Sequence, residues 1–143
     1  LAVGCAGQPA AGPVEVFLIE LGEPGPGAGF GCGDSTVGVG VEVPAGVDAV
    51  VFALQALLDR GSELAERHGL YHALSAADLE LERLAVSDGT ASLTLAGELR
   101  IGGVCDAPRV QAQLEQALLQ FPEIREVEIR MGSEPLAEYL SGR

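Results

Sequence analysis

The apolar positions of the chain change period several times, and each change marks an element. Residues 14–21 form a nearly continuous apolar run of Val14, Val16, Phe17, Leu18, Ile19 and Leu21, broken only by acids. A short run of this kind predicts a strand covered on both faces. Val37, Val39, Val41 and Val43 then alternate with Gly38, Gly40 and Glu42. That period of two predicts a second strand, closed by Pro44. Its glycines leave one face bare, as at a sheet edge or beside another backbone. Over residues 47–68 the period lengthens, and Val47, Val51, Leu54 and Leu58 fall on one helical stripe. Gly61 is expected to break this helix, leaving a second piece over 62–68.

Residues 79–86 read as a strand whose apolar phase switches between Leu81 and Leu84, the mark of a bulge or of a change in exposure. Asp88-Gly89 supplies the positive φ angles of a tight hairpin. The return strand runs over 90–96, with Ala91, Leu93 and Leu95 on one face, and residues 98–101 add a short strand. Asp106 is expected to cap a second helix, with Pro108 in its first turn. Val110, Leu114, Leu118 and Phe121 form its buried stripe, and Pro122 ends it. Val127, Ile129 and Met131 alternate with charged residues in a last half-buried strand, and residues 136–140 make a terminal turn. The order is ββαββαβ. Each helix has one apolar stripe, so the expected fold is α+β, a single mixed β-sheet with two amphipathic helices packed on it.

Composition narrows the function classes. The chain has 143 residues, enough for one domain with a real core, and 48% of them are apolar, which excludes disorder for most of it. Its formal charge is −13, and all 8 bases are arginine. So acidic a chain is a poor binder of nucleic acid, because it cannot neutralise phosphates. An anionic membrane surface repels it too, so membrane attachment has to be covalent or hydrophobic. No internal apolar run reaches the roughly 18–20 residues of a spanning helix.

The opening Leu1-Ala2-Val3-Gly4-Cys5 is apolar, then small, then cysteine. Residues 1–5 are expected to be the remnant of a lipoprotein signal peptide, with Cys5 as the lipidated thiol; the alternative is an apolar end with a chance cysteine. Residues 6–13, rich in Gly, Ala and Pro, read as a flexible linker. Residues 14–143 then form the folded domain. If Cys5 carries lipid, Cys32 and Cys105 remain to pair, as two cysteines do by default outside the cytoplasm. A reactive thiol served by His68 or His72 and a pair of free thiols are the alternatives.

Candidate chemistry is sparse. His68 and His72 are four apart, but Gly69 lies between them and no third ligand is nearby, so no metal is expected. Glu80 with Glu82, and Glu126 with Glu128, are paired acids of the kind glycosidases use, yet on amphipathic strands they read as solvent faces. The run Gly25-Pro26-Gly27-Ala28-Gly29-Phe30-Gly31 lacks the lysine of a phosphate loop. Asp34-Ser35-Thr36 suits either a cation or the cap of a turn. Arg109, one turn after Asp106, suits either a carboxylate inside the fold or an anionic ligand. Asp34 and Arg109 are therefore the candidate ligand-binding residues. No catalytic residue and no cofactor is expected.

Several of these segments together resemble a known family. They are Gly69-Leu70-Tyr71-His72-Ala73-Leu74, the hairpin over 79–95, Gly102-Gly103-Val104-Cys105-Asp106-Ala107-Pro108-Arg109, the helix over 113–122 and the strand over 127–131. In this order they resemble a GerMN domain, the sporulation and germination domain of GerM that also occurs in LpqB-like envelope lipoproteins. Gly31-Cys32-Gly33-Asp34-Ser35 and the pair Cys32 and Cys105 are similar to a cysteine-bearing subgroup among bacterial lipoproteins. The resemblance covers roughly residues 14–140. It implies an extracytoplasmic, non-catalytic domain with a binding or assembly role, whose partner is an envelope protein or a second copy. A small-ligand or cell-wall-fragment binder is the alternative, and a thiol enzyme or hydrolase is a further one.

Overall fold

A computed structural model of the chain describes residues 12–22, 29–30, 32–75 and 77–142. The elements are β1 (Val14–Glu20), β2 (Gly29–Phe30), β3 (Asp34–Val41), α1 (Ala49–His68), β4 (Asp78–Ser87), β5 (Thr90–Glu98), α2 (Asp106–Leu119), β6 (Glu126–Met131), β7 (Glu134–Pro135) and α3 (Leu136–Ser141). The long elements follow the order ββαββαβ, and the fold is α+β. It contains two sheets rather than the expected one. The first has the order β1-β3-β2 and the second β4-β5-β6-β7.

The split has a local cause. A strand's peptide groups point alternately to its two edges, and β1 pairs antiparallel with β3 along one of them, Val16 facing Val39 and Leu18 facing Val37. Its other edge belongs to side chains of α2 and to the segment after α1. Gln120 accepts from the Glu15 N–H at 2.9 Å and donates to the Glu15 carbonyl at 3.0 Å. Gln113 donates to the Phe17 carbonyl at 2.7 Å. Ile19 exchanges both backbone hydrogen bonds with Tyr71, at 2.9 and 2.8 Å. Two glutamines and one bridge thus stand where a further strand would pair.

The second sheet is built by its own strands. β4 and β5 form the expected hairpin, with φ of 53° at Asp88 and 82° at Gly89. The phase switch of β4 is a bulge, with the register shifting between Leu81 and Arg83. β6 lies parallel to β5, and β7 adds two residues beyond it. Ala91, Leu93, Leu95, Ile129 and Met131 bury one face of this sheet. Residues 99–101, expected as a strand, are irregular instead.

Leu18, Leu54, Leu57, Leu93, Leu95, Leu114 and Leu118 belong to one apolar cluster that both sheets and both long helices share. α1 is continuous through Gly61, contrary to the expected break. Its buried face carries Val50, Ala53, Leu54, Leu57, Gly61, Leu64 and Ala65, one residue out of phase with the expected stripe; Val47 is exposed. Gly61 is on that face because the ring of His72 packs where its Cβ would be. α1 starts at Asp48, whose carboxylate accepts from the Val50 and Val51 N–H groups, and ends at Gly69 with φ of 66°.

Candidate functional site

The two candidate ligand-binding residues face each other. Asp34 opens β3 two residues after Cys32, and its side chain is almost fully buried. Arg109 lies in the first turn of α2 and donates from Nε to Asp34 Oδ2 at 2.7 Å. The other oxygen of Asp34 accepts the Gly22 N–H at 2.8 Å, so this carboxylate also caps the turn after β1.

Asp106 completes the cluster. It is the first residue of α2 rather than its cap; Cys105 holds the cap position without a side-chain hydrogen bond. Its carboxylate turns back to accept from the Gly102 N–H at 2.7 Å and from Arg109 Nη1 at 3.0 Å. The Tyr71 hydroxyl donates to the same carboxylate, at 2.8 and 3.0 Å from its two oxygens. The Arg109 guanidinium carbon also lies 5.1 Å from the centre of the Tyr71 ring, in cation–π range.

Two carboxylates share one guanidinium here, and backbone and phenol donors offset the excess negative charge. The Arg109 hydrogen bond holds the Asp34 carboxyl below its ordinary range despite burial. Burial pushes Asp106 up, but hydrogen bonds from Gly102, Tyr71 and Arg109 outweigh it and hold this carboxyl low as well. Burial and the neighbouring Asp106 raise the Tyr71 phenol, which stays a donor. Asp34 raises Arg109 above its already high value.

The disulfide closes over the same junction. Cys32 and Cys105 are bonded, with Cα atoms 5.8 Å apart and a separation of 73 in sequence. It ties the turn before β3 to the start of α2, the two chain segments that the Asp34–Arg109–Asp106 bridge also joins. Cys5 lies outside the described residues, as does most of the glycine-rich run around Gly25.

A neutral cluster adjoins the charged one. Gln113, with no exposed surface, accepts the Ala73 N–H at 2.9 Å and donates to the Phe17 carbonyl. Its amide nitrogen is also 3.1 Å from His72 Nδ1. That nitrogen is a donor, so Nδ1 is the acceptor and the imidazole proton sits on Nε2. Burial pushes His72 down to about 4, so it is neutral at physiological pH. His68 is exposed at the last turn of α1, and the two histidines do not act as a pair.

Glu80, Glu82, Glu126 and Glu128 are all exposed on the second sheet. Among the described residues, no group of three or more histidine, cysteine or acidic side chains is arranged to hold a metal ion. Among the described residues, one open groove lies between α2, β6 and α3 and another along β3, and neither is lined by Asp34 or Arg109. Sequence reasoning had no functional reading of Tyr71 or Gln113. The i, i+3 spacing of Asp106 and Arg109 was the available signal for the cluster, since it puts an acid and a base on one helical face. Comparisons with family models, curated proteins and solved structures find no match for this chain.

Proposed function

We propose that this chain is a non-catalytic, lipid-anchored domain of the bacterial cell envelope that works outside the cytoplasm by binding or scaffolding, in the manner its GerMN-like segments imply. The observation that carries the reading is the Cys32–Cys105 disulfide. Such bonds persist in oxidising compartments and are rare in the cytosol. The pairing also leaves Cys5 as the odd cysteine, which a lipid anchor would use. The side chains best suited to chemistry, Asp34, Asp106, Arg109 and Tyr71, are spent on one another, as befits a scaffold.

The test is mass spectrometry of the protein from its native envelope. The expected result is a diacylglyceryl-modified Cys5 and no alkylation of Cys32 or Cys105 in denatured, unreduced protein. Three alkylated, unacylated thiols in a cytosolic fraction would overturn the reading.

A further inference from the structure

We propose that the outer edge of β3 is a docking site for an extended cationic segment of another polypeptide, which adds to the small sheet as a further strand. The inference rests on the binding reading above and names the chemistry of the partner.

β2 pairs with β3 only at Asp34 and Ser35. Among the described residues, no strand pairs with residues 36–41 on that side. Glu15, Phe17 and Ile19 direct their peptide groups away from β3, so the alternate residues of β1 bond to Val37, Val39 and Val41. Beyond the β2 pairing, the peptide groups of Gly38 and Gly40 therefore point outward.

The contrast with β4 shows that, among the described residues, nothing guards this edge. β4 is also an edge strand, and it carries a bulge and the charged residues Asp78, Glu80, Glu82 and Arg83. Charges and bulges are the usual defences against unwanted pairing. Residues 36–41 of β3 read Thr-Val-Gly-Val-Gly-Val, with no charge, no proline and no bulge. A groove of about 450 Å³ runs beside this stretch, lined by Val37, Val39, Leu70, His68 and Glu20. An added strand would place alternate side chains in it.

Charge identifies the occupant. The carboxylate of Glu15 lies over Gly38, in the space a side chain there would fill. A strand added beside β3 runs about 4.8 Å away, so a lysine or arginine opposite Gly38 reaches this carboxylate across bare glycine. Glu20 in the groove and Glu42 at the end of the strand add to the same field. A second copy brings an edge over 36–41 with no basic residue and a net charge of −13, so it supplies no cation and adds repulsion.

Fluorescence anisotropy of the full chain with a labelled hexapeptide of alternating lysine and valine tests this. Saturable binding is expected, with loss for the glutamate–valine counterpart and for a peptide with proline at its centre. Gly38→Pro, whose lost N–H faces outward, should weaken binding by about tenfold. Glu15→Gln leaves the backbone intact and should weaken it by about threefold. Amide shifts in NMR should fall on Gly38 and Gly40. Absence of binding, equal affinity for Glu15→Gln, or shifts centred on the second sheet would overturn the proposal. So would a dimer in light scattering that Gly38→Pro dissolves, because it would give the edge to a second copy. Thiol counting and Cys5 analysis of the protein test the envelope reading separately.

Discussion

In the four-stranded sheet, β5 has a strand on each side and its hairpin partner is two residues away. In the small sheet, among the described residues, β1 has a strand on one side only, and on the other it leans on the amide side chains of Gln113 and Gln120. The larger sheet needs only backbone pairing and an apolar face. The smaller one is pinned to α2 by the glutamines, by the Asp34–Arg109–Asp106 bridge and by the disulfide. One region is thus held by strand pairing over an apolar face, the other also by polar side-chain contacts between residues far apart in sequence. Damage to α2's polar side chains should loosen the small sheet and spare the large one.

The most damaging change is Arg109→Leu. It leaves two buried carboxylates without a cation, and loss of one partner from a buried bridge costs about 3–5 kcal/mol. Urea unfolding should show this loss. The bridge also has a pH signature: both carboxyls titrate below their unfolded value of 3.8, so their contribution is full above that pH and fades as pH falls through the lowered folded values. In Arg109→Leu the acid limb should move to higher pH.

His72 opens a separate, earlier acid window. Its unfolded value of 6.5 drops to about 4 in the fold, so the unfolded chain takes up a proton that the folded chain refuses. Stability should fall by about 3 kcal/mol as pH drops from 6.5 towards 4. Replacing His72 with Gln should flatten that part of the profile.

Cys105→Ser should cost about 2–4 kcal/mol in thermal or urea unfolding, since the closed loop is long. An unchanged midpoint would mean that the bond contributes nothing to the fold. Gln113→Leu should cost about 1–3 kcal/mol, because the Phe17 carbonyl and the Ala73 N–H lose their partner. Gly89→Ala is the counter-test in the large sheet. With φ of 82° at that position, it should cost about 1–2 kcal/mol and leave amide protection in β1 and β3 unchanged.

The same division decides what the sequence reveals. The Asp88-Gly89 hairpin and the Leu81/Arg83 bulge are written in neighbouring residues, and both are legible. So is the order of long elements. The phase of α1 is not legible, because the large aliphatics Val47, Val51 and Leu58 suggest one stripe while alanines and a glycine pack on another. Gly61 looks like a breaker, and its use depends on a histidine from the next segment. The split into two sheets is invisible for the same reason: nothing in Gln113 or Gln120 announces that each meets the edge of β1 about a hundred residues away. Arg109 was expected to suit a buried carboxylate, yet its bond to Asp34 spans 75 positions and no local pattern carries it.

Hydrogen exchange on oxidised and reduced protein under native conditions tests the two-part account most directly. On reduction, amides of β1 and β3 should exchange markedly faster while those of β5 and β6 keep their protection. Uniform acceleration across both sheets, or none in either, would contradict it.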